Sequence, residues 1–282
     1  MKKIVKLIGI IFLLCALGVS ILVYGTKVSV NSLSIVNQKI VTSKINDSQD
    51  GLKIAFISDL HYNHFMNQKR LENMITKINA AKPDIILFGG DVFDDPSTYE
   101  ISDETKNELC DLLKSLNAEY GKFAVLGEED HDSNVSEWIE DFLFQCDFEL
   151  LQNEHLLLSK NETLINLVGI DSLIGGNPDI ENAFDNVDTS LFTIVLTHAP
   201  DLVTQLPYSG IDVTLAGHSH GGQIALPFFG TLTSIQGAEK YSKGTYHINN
   251  MELIVSNGLG TSQKDIRIFA DPQCHILRLA LQ

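Results

Sequence analysis

Hydrophobic positions in the first half of the chain alternate between short continuous runs and helical spacing. Apolar runs at 52–58, 85–88 and 123–126 predict three buried strands. Between these runs, apolar residues recur at i, i+3, i+4 and i+7, which is typical of one face of a helix. The residues are Leu71, Met74, Ile75 and Ile78 in the first helix, and Leu109, Leu112, Leu113 and Leu116 in the second. Pro83 and Gly121 end the two helices, so the pattern predicts a parallel sheet covered by helices.

The second half is richer in strand patterns. Trp138, Phe142 and Phe144 indicate one short helix that is predicted to face the core. The turn residues Lys160-Asn161-Glu162 and Asn249-Asn250 each separate two apolar runs and predict hairpins. The predicted strands are 156–158, 164–170, 191–197, 211–216, 246–248, 251–256, 266–269 and 275–281. Without an internal repeat or interdomain linker, the pattern favours one α/β domain with two packed sheets.

The first 27 residues differ from the rest. Lys2, Lys3 and Lys6 precede an uncharged apolar run at 7–24. The length of this run is about the minimum for a membrane span. A signal peptide has the same order of basic and apolar residues, but no small-x-small cleavage site follows the run. We predict an uncleaved anchor at 1–27, a spacer or edge strand at 28–51 and the main domain at 52–282. The lysines would stay in the cytoplasm, which puts the domain outside it at the cell membrane.

Composition excludes several classes of protein. The chain has 20 Lys and Arg against 36 Asp and Glu, a net charge of −16. Without the first 27 residues, 16 basic and 36 acidic residues remain, a net charge of −20. A general nucleic-acid-binding protein needs a basic face, so no nucleic-acid polymer is expected as a partner. The four cysteines contain no CxxC pair and indicate neither a disulfide scaffold nor a zinc ribbon.

Residues that bind metals follow five of the predicted strands. They are Asp59 and His61, Asp91, the run Glu128-Glu129-Asp130-His131, His198, and the pair His218 and His220. Sites in open α/β sheets form outside the carboxyl ends of strands, so these segments are expected to converge on one crevice. Each motif alone is weak, since an Asp-x-His can be a helix cap beside a surface histidine and a Gly-Gly-Asp is usually a turn. The other histidines, His64, His155, His247 and His275, are predicted to be structural or on the surface.

The donor types and their number indicate the metals. Imidazole together with carboxylate suits Mn, Fe or Zn, whereas calcium takes oxygen ligands alone. Seven or eight candidate ligands are too many for one ion, so the sequence predicts two divalent metal ions that share a carboxylate. Asp91 is the predicted bridge, because a carboxylate has two oxygens and Gly89-Gly90 allow close approach of the backbone.

The order of these motifs resembles the calcineurin-like metallophosphoesterase superfamily. The stretch 215–224 with Leu226-Pro227, and the stretch 256–261, are similar to its membrane-associated YkuE/YaeI-like branch. The resemblance runs from about Leu52 to Leu281. It implies two packed mixed β-sheets flanked by helices, an α/β/β/α sandwich, here preceded by one N-terminal transmembrane helix. It implies that Asp59, His61, Asp91 and His220 hold the first metal, and that Asp91, His198 and His218 hold the second.

The third motif departs from the family pattern. The family has Gly-Asn-His followed by Asp or Glu, with the Asn as a ligand and the His as the general acid. Here Glu128 and Glu129 stand at the Asn and His positions. Glu128 is predicted to offer an oxygen to the second metal. His131, two residues late, is predicted to donate the proton, because it can be protonated near neutral pH. Glu129 is the alternative, and it is less favoured because an ionised carboxylate repels phosphate.

The resemblance implies a membrane-anchored, dinuclear-metal-dependent phosphoesterase that acts by metal-bound hydroxide attack. The missing histidine favours phosphodiesters or pyrophosphates, because good leaving groups need a general acid less. Expected substrates are phospholipid-like or of the UDP-diacylglucosamine type, which would place the enzyme in lipid metabolism, with manganese among the candidate metals. The alternative is a metal-binding, weakly active or inactive sensing or binding module. The sequence does not indicate an oligomeric state.

Overall fold

The architecture is a mixed α/β fold with one long apolar helix at its N-terminus. The computed structural model describes residues 2–47, 49–160, 163–226, 230–232 and 234–282. The helices are α1 (Lys2–Val23), α2 (Gln68–Ala80), α3 (Asp103–Lys114), α4 (Ile139–Gln145) and α5 (Ile180–Ala183). The first seven strands are β1 (Ser34–Thr42), β2 (Lys53–Ile57), β3 (Ile85–Phe88), β4 (Lys122–Ala124), β5 (Glu149–Leu150), β6 (Glu154–Lys160) and β7 (Thr163–Gly169). The others are β8 (Phe192–Leu196), β9 (Val213–Ala216), β10 (Ala225–Leu226), β11 (Gly230–Thr231), β12 (Gly244–Ile248), β13 (Met251–Val255) and β14 (Gln273–Leu281).

Two six-stranded mixed sheets form the centre of the domain. The first has the order β1-β14-β2-β3-β4-β5, in which β2 to β5 are parallel and β14 runs antiparallel to β2. The second has the order β12-β13-β9-β8-β7-β6, with a parallel centre and an antiparallel strand at each edge. Strands β10 and β11 form a separate two-stranded ribbon.

Side chains that alternate along the strands build three packed layers. In β2, Ile54 and Phe56 pack between the two sheets, while Ala55 and Ile57 pack under α2, α3 and α4. The second sheet is covered on its outer face by α5 and by the short helical segment Pro200–Gln205. The predicted α/β/β/α arrangement of two mixed sheets is therefore confirmed.

The predicted helix faces are also confirmed, and their ends have physical causes. Leu71 and Ile78 of α2 are buried with the other members of their stripe, as are Leu109 and Leu113 of α3. The side chain of Asn67 accepts a hydrogen bond from the Arg70 N–H and begins α2, and Ser102 caps α3 in the same way.

Two local predictions were wrong. Phe144 was expected in the core but is 78% exposed, because Ile139, Phe142 and Leu143 form the inner face of α4. The run 266–269 was expected to be a strand, but it makes only an isolated bridge between Ile268 and Ile224. Its backbone instead contacts loops and the end of the first helix. The predicted turn at Asn161-Glu162 lies outside the described residues.

The N-terminal helix continues into the domain through two short helical turns of different type. After α1 come a π turn (Tyr24–Val28) and a 3-10 turn (Ser29–Asn31), and then β1 at the edge of the first sheet. The apolar window of this helix has a mean hydropathy of 2.8 with none of it buried in the domain. By length and composition the helix is sufficient to cross a membrane.

One disulfide links two of the covering helices. It joins Cys110 of α3 to Cys146, the residue after α4. Of the other cysteines, Cys15 is exposed on α1 and Cys274 is buried in β14.

Candidate dinuclear metal site

Loops from both sheets bring the predicted ligands to one place. Asp59 and His61 follow β2, Asp91 follows β3 and Glu128 lies beyond β4, all in the first sheet. The second sheet supplies His198 after β8, and His218 and His220 after β9. The two sheets thus meet at the carboxyl ends of their parallel strands, where α/β folds form their sites.

Two glycines are required for this approach. A Cβ atom at Gly127 would overlap the carboxylate of Asp91, and one at Gly217 would overlap the carboxylate of Asp59. Any larger residue at either position would push a ligand loop away from the centre.

Three overlapping groups of ligand atoms result. Each group has its ligand atoms within 4.8 Å of one another. The groups are Asp59, His61 and His220; Glu128, His198 and His218; and Asp59, Asp91 and His198. Asp91 Oδ2 lies 3.4 Å from His61 Nε2 and 3.4 Å from His198 Nε2, so this oxygen stands between the first two groups. All seven residues predicted as ligands are brought together.

Several of the inward-facing atoms lack a hydrogen-bond partner. His61 Nε2 and Asp91 Oδ2 are buried and unsatisfied within the described part of the chain. Leaving such a group unpaired costs about 1–3 kcal/mol each. In the second group, Glu128 Oε2 lies 2.6 Å from His198 Nε2 and 2.9 Å from His218 Nδ1. Converging nitrogen and carboxylate oxygen atoms are what a pair of divalent cations requires, so the residues fit the metals that the donor types predict.

In three of the four histidines, a second ring nitrogen lies against an oxygen atom behind it, whereas His220 Nδ1 is buried without such a partner in the described residues. His198 Nδ1 donates to the carbonyl of Gly89 at 2.6 Å, and His218 Nε2 donates to the carbonyl of Gln236 at 2.6 Å. His61 Nδ1 lies 3.2 Å from Asp94 Oδ1. Such contacts fix the tautomer and direct the free nitrogen toward a metal.

The electrostatics of the site favour cations. Burial lowers the pKa of His61, but Asp94 and the other nearby carboxylates outweigh it and raise that pKa to about 9. Burial likewise opposes protonation of His198, yet Asp91 and Glu128 hold its pKa well above the ordinary value. In contrast, burial and the neighbouring His61 lower the pKa of His220. The carboxylates create a negative potential that draws positive charge to the site.

Two buried residues support the ligand loops in a role that the sequence analysis did not predict. Asp130 accepts hydrogen bonds from the backbone N–H groups of Asp91, Val92 and Gly127 at 2.8–2.9 Å. The only signal for it was its position as the acidic fourth residue of the motif that begins at Gly127. Arg267 is fully buried and donates to backbone carbonyls, including those of His220 and Ala270. Nothing in the local sequence pattern indicates that role.

The two candidate proton donors occupy different surroundings. Glu129 lines the cleft over the ligands, and burial followed by the charge of Asp91 raises its pKa to about 8. His131 Nε2 lies 2.7 Å from Asp171 Oδ1, and this contact raises the pKa of His131. His131 is not among the residues that line the cleft.

A cleft of about 560 Å³ opens over the ligands. One end contains ligands, including His61, Glu128, His218 and His220. The lining continues through Gly222, Gln223, Ile224, Leu232, Ser234, Ile235, Ser262, Gln263, Lys264 and Ile266. Among these described lining residues, Lys264 alone is a lysine or arginine.

The fold and the converging candidate ligands fit the class of metal-dependent phosphoesterases. The family model described as calcineurin-like phosphoesterase matches residues 52–222, and the chain belongs to this family. It is 30% identical over 257 residues to the uncharacterized metallophosphoesterase YkuE of Bacillus subtilis, covering 91% of this chain and 88% of that one. It is 31% identical over 283 residues to the UDP-2,3-diacylglucosamine pyrophosphatase LpxG of Chlamydia muridarum, covering 81% of this chain and 83% of that one. The predicted family is confirmed, and the chain is a metal-dependent phosphoric ester hydrolase.

Proposed function

We propose that the protein is a membrane-anchored hydrolase of phosphodiester or pyrophosphate bonds in lipid-linked substrates. The observation that carries the proposal is the position of Asp91 between two groups that each contain one carboxylate and two histidines. A pyrophosphate of the UDP-diacylglucosamine type is one candidate substrate, since a relative of 31% identity is named for that activity.

The first ion would be held by Asp59, His61, Asp91 and His220, and the second by Asp91, Glu128, His198 and His218. Manganese, iron or zinc suits these nitrogen and oxygen donors. When bound, the two ions would supply Lewis acidity toward the phosphoryl oxygens and lower the pKa of the attacking water. Their charge also offsets the repulsion between an acidic domain and an anionic substrate.

The remaining chemical task is to protonate the leaving oxygen. Sequence reasoning favours His131, but the contact of its Nε2 with Asp171 occupies the imidazole. Glu129 lines the cleft beside the ligands, and this position supports it as the proton donor. We therefore assign the proton to Glu129, with His131 taking the role only if its side chain leaves Asp171 when substrate binds.

A metal-binding module with little or no activity is the second candidate. Its support is the glutamate at the position where the family has its catalytic histidine. In that case the ions and the cleft would serve recognition of a phosphate ester without turnover.

The test is hydrolysis of bis-p-nitrophenyl phosphate by the full-length protein in detergent, with bound metal measured in the same samples. The enzyme hypothesis predicts turnover with manganese, iron or zinc and its loss on chelation. Two bound metals per chain without turnover of this diester or of a pyrophosphate panel would favour the module.

The location also belongs to this proposal. We propose residues 1–27 as the anchor, 28–51 as the connecting segment with its edge strand, and 52–282 as the catalytic domain outside the cytoplasm. The apolar helix and its preceding lysines support this orientation. The Cys110–Cys146 disulfide supports it independently, because disulfides persist in oxidising compartments.

A further inference from the structure

The domain holds the end of the membrane helix tightly. The carbonyl of Gly25 accepts a hydrogen bond from the Arg267 N–H at 3.1 Å. Gly25 is buried, and a Cβ there would lie 2.9 Å from Ile268 Cγ1. Ser29 Oγ donates to the carboxylate of Asp271, four residues after Arg267. The segment 266–271 therefore fixes the point at which the chain leaves α1.

The same segment forms a wall of the cleft. Ile266 lines the cleft, and its Cγ1 would lie 3.2 Å from a Cβ at Gly25. The Ile268 N–H donates to the Gln223 carbonyl, and the Ile268 carbonyl accepts from the Ala225 N–H, both at 2.9 Å. Gln223 also lines the cleft, three residues after the ligand His220. A chain of direct contacts thus joins the metal site to the helix end.

The lining of the cleft combines two kinds of surface. Charged and imidazole side chains belong to the ligand set, whereas Ile224, Leu232, Ile235 and Ile266 contribute apolar surface. Lys264 is the one cation of the described lining, and it suits an anionic head group. This combination fits an amphiphile better than a wholly polar ester.

Apolar side chains are also exposed where the cleft meets the helix. Phe269 is 61% exposed, Leu232 is 58% exposed and Tyr24 is 48% exposed. Phe269 shares a cavity of about 330 Å³ with Ser20, Ile21 and Tyr24 near the end of the helix. Aromatic residues at the end of a membrane span typically lie at head-group level. The bilayer surface would cover these side chains.

We propose that the cleft opens at the membrane surface and takes an acyl-chain-bearing phosphate ester directly from the bilayer that holds α1. The phosphate lies at the ligand end and Lys264 contacts the anionic head group. The acyl chains follow the apolar wall toward Phe269 and remain in the lipid. This inference rests on the proposed function and narrows its substrate to a lipid in the same membrane.

The kinetic test uses full-length, metal-loaded protein in phosphatidylcholine vesicles and two phosphodiesters with the same leaving group. One is dioleoylphosphatidyl-p-nitrophenol in the vesicle, and the other is its water-soluble dihexanoyl analogue. Phe269→Asp should lower the ratio of the dioleoyl to the dihexanoyl rate by about tenfold, because it removes an interfacial aromatic side chain. Phe144→Asp, an exposed phenylalanine on α4, is the matched control and should leave the ratio unchanged.

Two outcomes are distinguishable. If the wild type cleaves neither compound with two metals bound, the proposed function fails. If it cleaves the dihexanoyl compound but the ratio is equal in wild type and Phe269→Asp, only the membrane-facing cleft is overturned. Because the ratio compares two rates of one preparation, partial unfolding of a variant does not change it.

A second measurement locates the residue directly. The wild type contains one tryptophan, Trp138, which gives the background fluorescence. In vesicles with brominated lipids, Phe269→Trp should show strong additional quenching, whereas Phe144→Trp should not. Equal quenching of the two added tryptophans would contradict the proposed orientation.

Discussion

Most of the proposed metal ligands have an unusual backbone conformation. Asp59, His61, Asp91, His218 and His220 have φ between +44° and +67°, the left-handed region that residues with a Cβ seldom adopt. Each such residue stores strain that the surroundings must hold, and such strain clusters at functional sites. Here the restraint includes hydrogen bonds from Leu60 and His61 to the Asp91 carbonyl, at 2.9 and 3.2 Å. The ligands are therefore fixed by their backbone before any ion binds.

Asp91 should affect both ions more than any histidine does. Asp91→Asn keeps the shape of the side chain but removes a charge between the two ligand groups, so both metals should be depleted. His198→Ala should deplete the second metal preferentially, because the first keeps Asp59, His61 and His220. Metal content per chain, measured by mass spectrometry, checks both. Full occupancy in Asp91→Asn would contradict the bridging role.

The proton donor can be identified by its dependence on the leaving group. Glu129→Gln should slow esters of poor leaving groups by roughly 10²-fold or more and spare p-nitrophenyl esters, the usual effect of losing a general acid. His131→Ala should lower the melting temperature through loss of the Asp171 contact, with no such dependence on the leaving group. The opposite pattern in the two variants would assign the proton to His131.

At the scale of elements, loops that lack periodicity connect the site to the rest of the fold. Arg267 is the main example, since its guanidinium donates to carbonyls in the segments 257–260 and 270 and to His220. Burial lowers the pKa of Arg267 to about 9, and the nearby Asp59 opposes that shift. One side chain thus fixes the loop of a metal ligand and the segment that contacts α1.

Substitution of Arg267 should be costly. Arg267→Met would leave several buried carbonyls without donors, so we expect a loss of at least about 2 kcal/mol in the free energy of unfolding. The first metal should also bind more weakly, because the His220 loop loses its support. Arg278→Met, at an exposed arginine of β14, is the control. Denaturant titration measures the free energy of unfolding, and metal analysis measures the occupancy of the site. Equal values for Arg267→Met and Arg278→Met in both measurements would contradict this role.

The elements with a strong hydrophobic period were predictable from the sequence, and the loops were not. The helical spacing of the stripe from Leu71 to Ile78 and the continuous apolar run at 85–88 predict which side chains are buried, and these side chains are buried in the structure. The run 266–269 has strand-like residues, yet it contacts α1 and the Gln223 loop, which no local pattern can show. The candidate ligands, which the structure brings together, could be named because the side chains of metal sites belong to few types. Asp130 and Arg267 form hydrogen bonds to backbone groups. Many polar residue types can do this, so neither residue type nor spacing indicates the role in a sequence.

At the scale of the whole molecule, the proposed direction of α1 across a membrane determines where the reaction would take place. The lysines at the start of α1 and the disulfide between α3 and Cys146 each support the proposed orientation. A domain held at an outer surface by such a short, structured junction would have little freedom to reach substrates far from that surface.

The N-terminus should remain attached in the mature protein. N-terminal sequencing of the membrane fraction should begin at or near Met1, and protease added to spheroplasts should digest the domain. Peptide mass analysis without reduction should recover Cys110 linked to Cys146. A mature start close to Lys27 in the soluble fraction would remove the anchor, and protection from protease would reverse the orientation.

The pairing of β1 with β14 has a consequence for how the protein is made. Strand β14 lies between β1 and β2, so the first sheet lacks an inner strand until the last of its strands has been synthesised. During export, β1 would wait beside the membrane with unpaired backbone groups while the rest of the domain emerges. A nascent chain that stops before residue 273 therefore cannot complete the first sheet, and we expect quality-control proteases to remove it.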